Sequence, residues 1–376
     1  AVGTQQTDYP RRAAPRRRSL LLPRRHLQSD LRAHHRRPPP HRAAPFLRRA
    51  GLLVAMGKAS KDKRDIYYRK AKEEGWRARS AFKLMQIDQE FNIFHGVKRA
   101  VDLCAAPGSW SQVLSRNLYL PAKLSSDGKD GGLPLIVAID LQPMAPIEGV
   151  IQVQGDITNA RTAEVVIRHF DGCKADLVVC DGAPDVTGLH DMDEFVQSQL
   201  ILAALTIVTH VLKVGGKFVA KIFRGKDTSL LYCQLKLFFS QVTFAKPKSS
   251  RNSSIEAFAV CENYSPPEGF KEKDLYHLLE KVGTPSGADD LDCRSGWLEG
   301  PNKVYIPFLA CGDLSGYDSD RSYPLPSTEG GTYQSLDPVQ PPIAPPYKTA
   351  LEMKKASSHG AGTDTSKLSL DPQTTL

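Results

Sequence analysis

Asp102-Leu103-Cys104-Ala105-Ala106-Pro107-Gly108-Ser109-Trp110 decides how the chain is read. An apolar run over residues 100–104 enters a turn of small residues, and an apolar-periodic segment over 110–118 leaves it. That pattern is a strand passing through a tight turn into a helix. The alternation continues downstream. Strands are expected at 135–140, 150–153, 177–181, 217–223 and 255–261, with a weaker one at 241–244. Helices are expected at 160–170, 191–212 and 228–239. This order predicts an α/β fold with a doubly wound, mostly parallel, seven-stranded sheet. The last two strands are joined by the polar loop 246–254, too short for a crossover helix, so they should form an antiparallel edge. Upstream, 65–91 reads as helical, broken at Gly75.

The chain has 376 residues, with 50 Lys+Arg against 41 Asp+Glu, a formal charge of +9. Residues 1–55 hold 13 Arg, no Lys and 2 Asp, a net of +11; the other 321 hold 37 basic and 39 acidic groups, a net of −2. Any nucleic-acid surface must therefore rest on local clusters. Seven cysteines, none in a CxxC pair, argue against a disulfide framework and against a zinc site, and no metal is expected. The longest apolar stretch, around 200–212, is interrupted by Thr206, Thr209 and His210 and is too short for a bilayer, so no membrane association is expected.

Four regions follow from composition. Residues 1–55, rich in Arg and Pro, read as a disordered leader outside the working protein that starts near Met56; a mitochondrial-type presequence is the competing reading. Residues 56–262 form the domain, 263–313 an extension, and 314–376 a flexible Pro/Ser-rich tail. A cytoplasmic location is expected, with nuclear residence also compatible, and a mitochondrial one only if the leader is a presequence.

Ligands of such sheets bind beyond the carboxyl ends of the parallel strands. Here successive ends carry Asp102, Asp140, Asp156 and Asp181. One acid there would be an ordinary loop residue or helix cap; four in succession are not. The first turn lacks the G-x-G-x-x-G pattern, so a pyrophosphate-bearing dinucleotide fits poorly. A ligand with hydroxyls and a positive charge fits better, and S-adenosylmethionine has both. Asp140 would accept from its ribose, Asp156 from its adenine amine, and Asp181 would sit near the sulfonium. Gly108 and its small neighbours would let the backbone approach closely.

DLCAAPGSWSQ, residues 102–112, closely resembles the motif of the FtsJ/RrmJ family of ribose 2′-O-methyltransferases. The resemblance covers residues 60–262, and it is strongest to the eukaryotic tRNA members, the FtsJ homolog 1 type, over SKDKRDIYYRKAKEEGWRARSAFKL (60–84), DLVVCDGAPDVTGLHD (176–191) and KPKSSRNSSIEAFAV (246–260). It implies a Rossmann-like, S-adenosylmethionine-dependent fold, with Gly108, Trp110, Asp140, Asp156 and Asp181 at the cofactor. It also implies a catalytic tetrad of Lys83, Asp181, Lys221 and Glu256. Lys221, in an otherwise apolar strand, would lie nearest the acceptor hydroxyl as base or steering group. Asp181 would orient it, with Lys83 and Glu256 as the supporting pair.

The implied reaction is 2′-O-methylation in the tRNA anticodon loop, at the first loop nucleotide and the wobble nucleotide. Ribosomal RNA as substrate is the alternative, followed by an inactive RNA-binding module of the same fold. Three basic clusters would hold RNA: 56–83, with Tyr67, Tyr68 and Trp76; Lys246, Lys248 and Arg251; and Arg224 with Lys226. The resemblance further implies auxiliary WD-repeat and helical-repeat subunits, for which Tyr305, Ile306, Pro307 and Phe308 are a candidate docking segment. The polar stretch 119–134 is longer than the family's turn; it should loop out, and displacement of cofactor-side contacts would be its cost.

Overall fold

The structure, a computed structural model, describes residues 60–125, 132–159, 161–184, 188–282, 305–326 and 333–341. The expected leader, the tip of the 119–134 loop and the chain beyond 341 lie outside the described residues.

A short helical segment over residues 60–64 and the helices α1 (Ile66–Glu73) and α2 (Ala81–Phe91) precede the first strand. Asp65 caps α1, its carboxylate accepting from the Tyr68 N–H at 2.9 Å. The sheet then assembles from β1 (Arg99–Leu103), β2 (Leu135–Asp140), β3 (Val150–Gln154), β4 (Ala175–Cys180), β5 (Leu212–Phe223), β6 (Phe239–Pro247), β7 (Glu256–Tyr264) and β8 (Phe308–Cys311). Their order is β3-β2-β1-β4-β5-β7-β6-β8. The first five strands are parallel, β7 runs antiparallel between β5 and β6, and β8 is parallel to β6. The seven expected strands are thus present, and one correction applies: the extension adds an eighth.

Strand side chains alternate between two cores. Val101 and Leu103 of β1 pack with Ile201, Leu205 and Val208, whereas Ala100 packs with Leu84, Ile87 and Trp110. Helix α3 (Ser109–Leu114) follows β1 and continues through one wide turn (Ser115–Tyr119) into α4 (Leu120–Leu124). Pro121 stands in the first turn of α4, where no N–H is required. The polar loop therefore begins at Ser125 rather than Tyr119. It enters β2 at its amino end, whereas Asp140 closes the carboxyl end, so the flanks of the loop lie opposite the expected cofactor side.

Helix α5 (Arg161–His169) precedes β4, and α6 (His190–Val211) precedes β5. At 22 residues, α6 is the one helix among the described residues long and apolar enough to cross a membrane. It packs along β5 instead, burying Ile201, Leu205 and Val208 in the core. Helices α7 (Thr228–Lys236) and α8 (Leu275–Lys281) complete the fold.

The expected flexible tail is corrected in part. The Tyr67 hydroxyl donates to the Tyr317 carbonyl at 2.9 Å, and the Tyr323 N–H donates to the Lys63 carbonyl at 2.9 Å. The fully buried Asp62 accepts from Tyr333 at 3.0 Å and from Ser335 at 2.5 Å. Residues 313–326 and 333–341 thus form a strap over α1, fastened by single polar bonds rather than by an apolar repeat.

Candidate active site

The carboxyl ends of β1 to β4 open into a cavity of about 680 Å³, whose lining includes Asp140, Asp156, Asp181 and Lys221. Asp140 is held by two backbone donors, the N–H groups of Ala106 (2.9 Å) and Gln142 (2.7 Å). Asp156 accepts from the N–H and hydroxyl of Thr158, each at 2.8 Å, which fixes its rotamer at the cavity rim. Leu141 and Ile157 supply apolar plates between these acids. Leu141, 66% exposed, has no packing role in the core.

Gly108 and Trp110 do not line this cavity. Gly108 has φ +104°, and a Cβ there would meet Arg77 and Ile147 at 2.8 Å, so the turn requires glycine. The Trp110 ring is buried, 5.7 Å from Phe258, and its indole N–H donates to the Ser80 carbonyl at 2.9 Å. It is a packing residue that ties α2 to α3. Asp102, also at a strand end, is fully buried beneath the turn, and the Ser111 hydroxyl donates to it at 2.5 Å. Burial chiefly, with the Asp181 and Asp140 charges adding, pushes its carboxyl up to about 8.

The four tetrad residues form one chain of charges. The Lys221 ammonium lies 2.8 Å from the Asp181 carboxylate and 2.8 Å from the Asp181 carbonyl. It lies 4.0 Å from Glu256, which pairs with Lys83 at 2.8 Å. The Ser250 hydroxyl donates to the other Glu256 oxygen at 2.7 Å. Burial favours the neutral form of Lys221, but Asp181 and Glu256 outweigh it and its affinity for the proton is raised. Burial likewise favours a neutral Glu256; Lys83, Lys221 and Ser250 override it and hold the carboxyl at about 2. Near neutral pH, Lys221 is an ammonium and Glu256 a carboxylate.

Lys83 and Glu256 also line a second cleft, about 380 Å³, with Lys61, Tyr68, Arg79 and Arg251. The tetrad is therefore the wall between an acid-lined cavity and a basic cleft. The expected basic clusters are only partly surface. Lys72 is buried on Asp62 at 2.7 Å, and Arg69 donates to the Pro324 carbonyl at 3.1 Å. Tyr67 and Trp76 are buried, leaving Tyr68 as the aromatic residue of that cluster at this cleft. Lys246 is buried as well, donating to the Ser254 carbonyl at 2.8 Å and to the Glu256 carbonyl, with burial pulling its ammonium down to about 8. It fixes the backbone at Glu256 rather than meeting a phosphate. In the expected docking segment, Tyr305 and Phe308 are exposed, whereas Ile306 packs against the core and the Pro307 carbonyl accepts from Phe244.

Sequence reasoning missed three supports. Gln197 on α6 is buried and its amide donates to the carbonyls of Gly182 (3.1 Å) and Lys221 (2.8 Å), locking the ends of β4 and β5 together. Glu194, one turn earlier, accepts from the N–H groups of Lys226 (3.0 Å) and Asp227 (2.9 Å). Their i, i+3 spacing, which puts both on one face of α6, was the available signal. Ser250 offered none.

A family model described as FtsJ-like methyltransferase matches residues 76–264. A tRNA (cytidine(32)/guanosine(34)-2′-O)-methyltransferase of Mus musculus is 62% identical over 300 residues, 80% of this chain and 87% of that one. The protein of the same name from Homo sapiens is 60% identical, covering 80% of this chain and 86% of its own. That of Schizosaccharomyces pombe is 55% identical, covering 80% and 98%.

Proposed function

We propose, from the premise that the chain belongs to the FtsJ-like methyltransferase family, that it transfers a methyl group from S-adenosylmethionine to ribose 2′-oxygens in the tRNA anticodon loop, at the first loop nucleotide and the wobble nucleotide. The observation that carries this reading is the tetrad's position as a shared wall, with Asp181 and Lys221 on the acid-lined cavity and Lys83 and Glu256 on the basic cleft. The relatives' names, which specify positions 32 and 34, support the choice of substrate.

The cavity's donor set fits the cofactor. Three carboxylates and one ammonium suit a ligand without phosphates, Asp140 keeps acceptor capacity for hydroxyls, and Leu141 with Ile157 can flank a flat heterocycle. When bound, S-adenosylmethionine supplies an electrophilic methyl on a sulfonium.

The chain's own residues align the acceptor. The Lys221 ammonium has three protons; two face the Asp181 carboxylate and carbonyl. The third is left to donate to one lone pair of the 2′-oxygen, which aims the other at the methyl. Lys221 held protonated is not a base; the hydroxyl oxygen becomes strongly acidic as the methyl arrives, and its proton passes to solvent water. Glu256 keeps Lys83 and Lys221 apart and in register, which serves positioning more than proton transfer. Arg79, Arg251 and Lys61 would hold flanking phosphates, and Tyr68 would stack a base. Auxiliary subunits of WD-repeat and helical-repeat type belong to the same reading; exposed Tyr305 before edge strand β8 and Phe308 at its start support a docking role.

The test is transfer of labelled methyl to tRNA by wild type and by Lys221→Ala. The wild type should label tRNA, and the variant should lose transfer by roughly 1,000-fold or more while cofactor affinity stays within about twofold. Wild-type turnover in the variant would remove Lys221 from the chemistry.

A further inference from the structure

The strap closes a third recess, of about 690 Å³, against α1 and α2. Its walls carry Tyr67, Tyr317 and Tyr323, two cations, Lys70 and Arg321, and the amides of Gln86 and Gln89. The Tyr317 and Tyr323 rings stand perpendicular, with centroids 5.0 Å apart, and Tyr317 is 42% exposed. The Lys70 ammonium lies 4.8 Å from the Tyr317 ring centre.

We propose that this recess binds an unpaired nucleotide neighbouring the methyl acceptor in the same RNA loop. The proposal rests on the RNA substrate argued above and goes beyond it by assigning a second nucleotide site. The base would lie on the tyrosine faces, and its phosphate would meet Lys70 and Arg321.

Three observations support a nucleotide over other occupants. First, two tyrosine hydroxyls are engaged internally: Tyr67 donates to the Tyr317 carbonyl at 2.9 Å, and Tyr323 accepts from the Asp318 N–H at 2.7 Å. Tyr67 is buried against Phe82, so the ring surface open to a ligand is that of Tyr317 and Tyr323, which suits stacking. Second, neither Lys70 nor Arg321 has an ion-pair partner among the described residues, so both are available to a phosphate. One carboxylate opposes them, Asp313, which accepts from the Ser315 N–H at 3.0 Å and its hydroxyl at 2.6 Å. Third, the recess is bonded directly to the acceptor cleft. Gln86 of the recess accepts from the N–H and hydroxyl of Ser249, each at 2.8 Å, and the next residue, Ser250, holds Glu256. Tyr67 and Tyr68, adjacent on α1, face the recess and the cleft respectively.

The experiment uses the full chain and an anticodon stem-loop RNA with 4-thiouridine placed singly at each loop position beside the acceptor. Irradiation should attach the RNA to the peptide carrying Tyr317 and Tyr323. The pair Tyr317→Leu and Arg321→Gln, folded as judged by circular dichroism and thermal midpoint, should weaken stem-loop binding about tenfold. Turnover at saturating RNA and the KM for S-adenosylmethionine should not change. Unchanged RNA affinity in the folded variants, or cross-links confined to other segments, overturns the proposal. So does a defect that appears only when a partner protein is added, because the recess is then a protein contact. Failure of wild type to methylate the RNA would overturn the proposed function alone, since binding and cross-linking are read without turnover.

Discussion

The two sides of the Lys221–Glu256 wall are built from different elements and carry opposite charge: strand ends line the cavity, whereas the N-terminal helices and the loop before β7 line the cleft. On the cavity side, Asp140, Asp156 and Asp181 face the space with Leu141 and Ile157 between them. On the cleft side, Lys61, Arg79 and Arg251 stand around Tyr68, with Asp65 pairing both arginines and leaving the cleft net basic. A polyanion is repelled by the first and held by the second, and a cationic sulfonium has the opposite preference. Charge alone therefore sorts the two substrates to opposite faces of one wall. What the contrast teaches is that the tetrad need not supply a strong base. Its carboxylates keep Lys221 protonated, and in the proposed reaction its task would be to bring an aligned oxygen to an aligned methyl.

The largest effect expected from breaking this division is at the wall. Glu256→Gln leaves Lys83 and Lys221 without their shared carboxylate, and kcat should fall about 100-fold or more. Cofactor and tRNA affinities, measured separately by titration, should both survive; loss of either would mean that Glu256 is a binding group. A smaller effect is expected on the cavity side alone. Asp140→Asn should raise the Kd for S-adenosylmethionine about tenfold, the scale of one hydrogen bond to a charged group, and leave tRNA binding unchanged. An equal loss of tRNA affinity would show that the two faces are not independent.

The smallest effect is on stability. Asp102, raised to about 8, is protonated in the folded protein near neutral pH, and its carboxyl binds the proton more tightly folded than unfolded. That contribution is present below the ordinary carboxylate range and is lost as pH rises through about 8. Asp102→Asn keeps an acceptor for Ser111 and cannot ionise. Its thermal midpoint should exceed that of wild type at pH 9 by about 3 °C or more, and the difference should shrink toward pH 5. A constant difference across that range would mean that Asp102 does not titrate with folding.

The cavity was more legible in the sequence than the cleft, for a physical reason. Strand ends are set by apolar patterning, so Asp140, Asp156 and Asp181 could be brought together from spacing and one topological rule, and Lys221 joined them through the family resemblance. The same patterning cannot say which way a residue inside a motif points. Trp110 sits in the signature turn but turns into the core against Phe258. Lys246 looks like a surface cation but is buried on two carbonyls. The strap was invisible because its order comes from isolated bonds, such as Tyr333 and Ser335 to buried Asp62, which leave no period in the sequence.

The sharpest test replaces one atom of the substrate. A tRNA carrying a single 2′-deoxyribose at the first anticodon-loop nucleotide or at the wobble nucleotide is offered with labelled S-adenosylmethionine, and the methyl marks are mapped. The nucleotide lacking its 2′-oxygen should receive no methyl, while the other is still modified and the RNA binds as before. Undiminished labelling of the deoxy nucleotide would place the methyl on a base and contradict transfer to ribose across this wall.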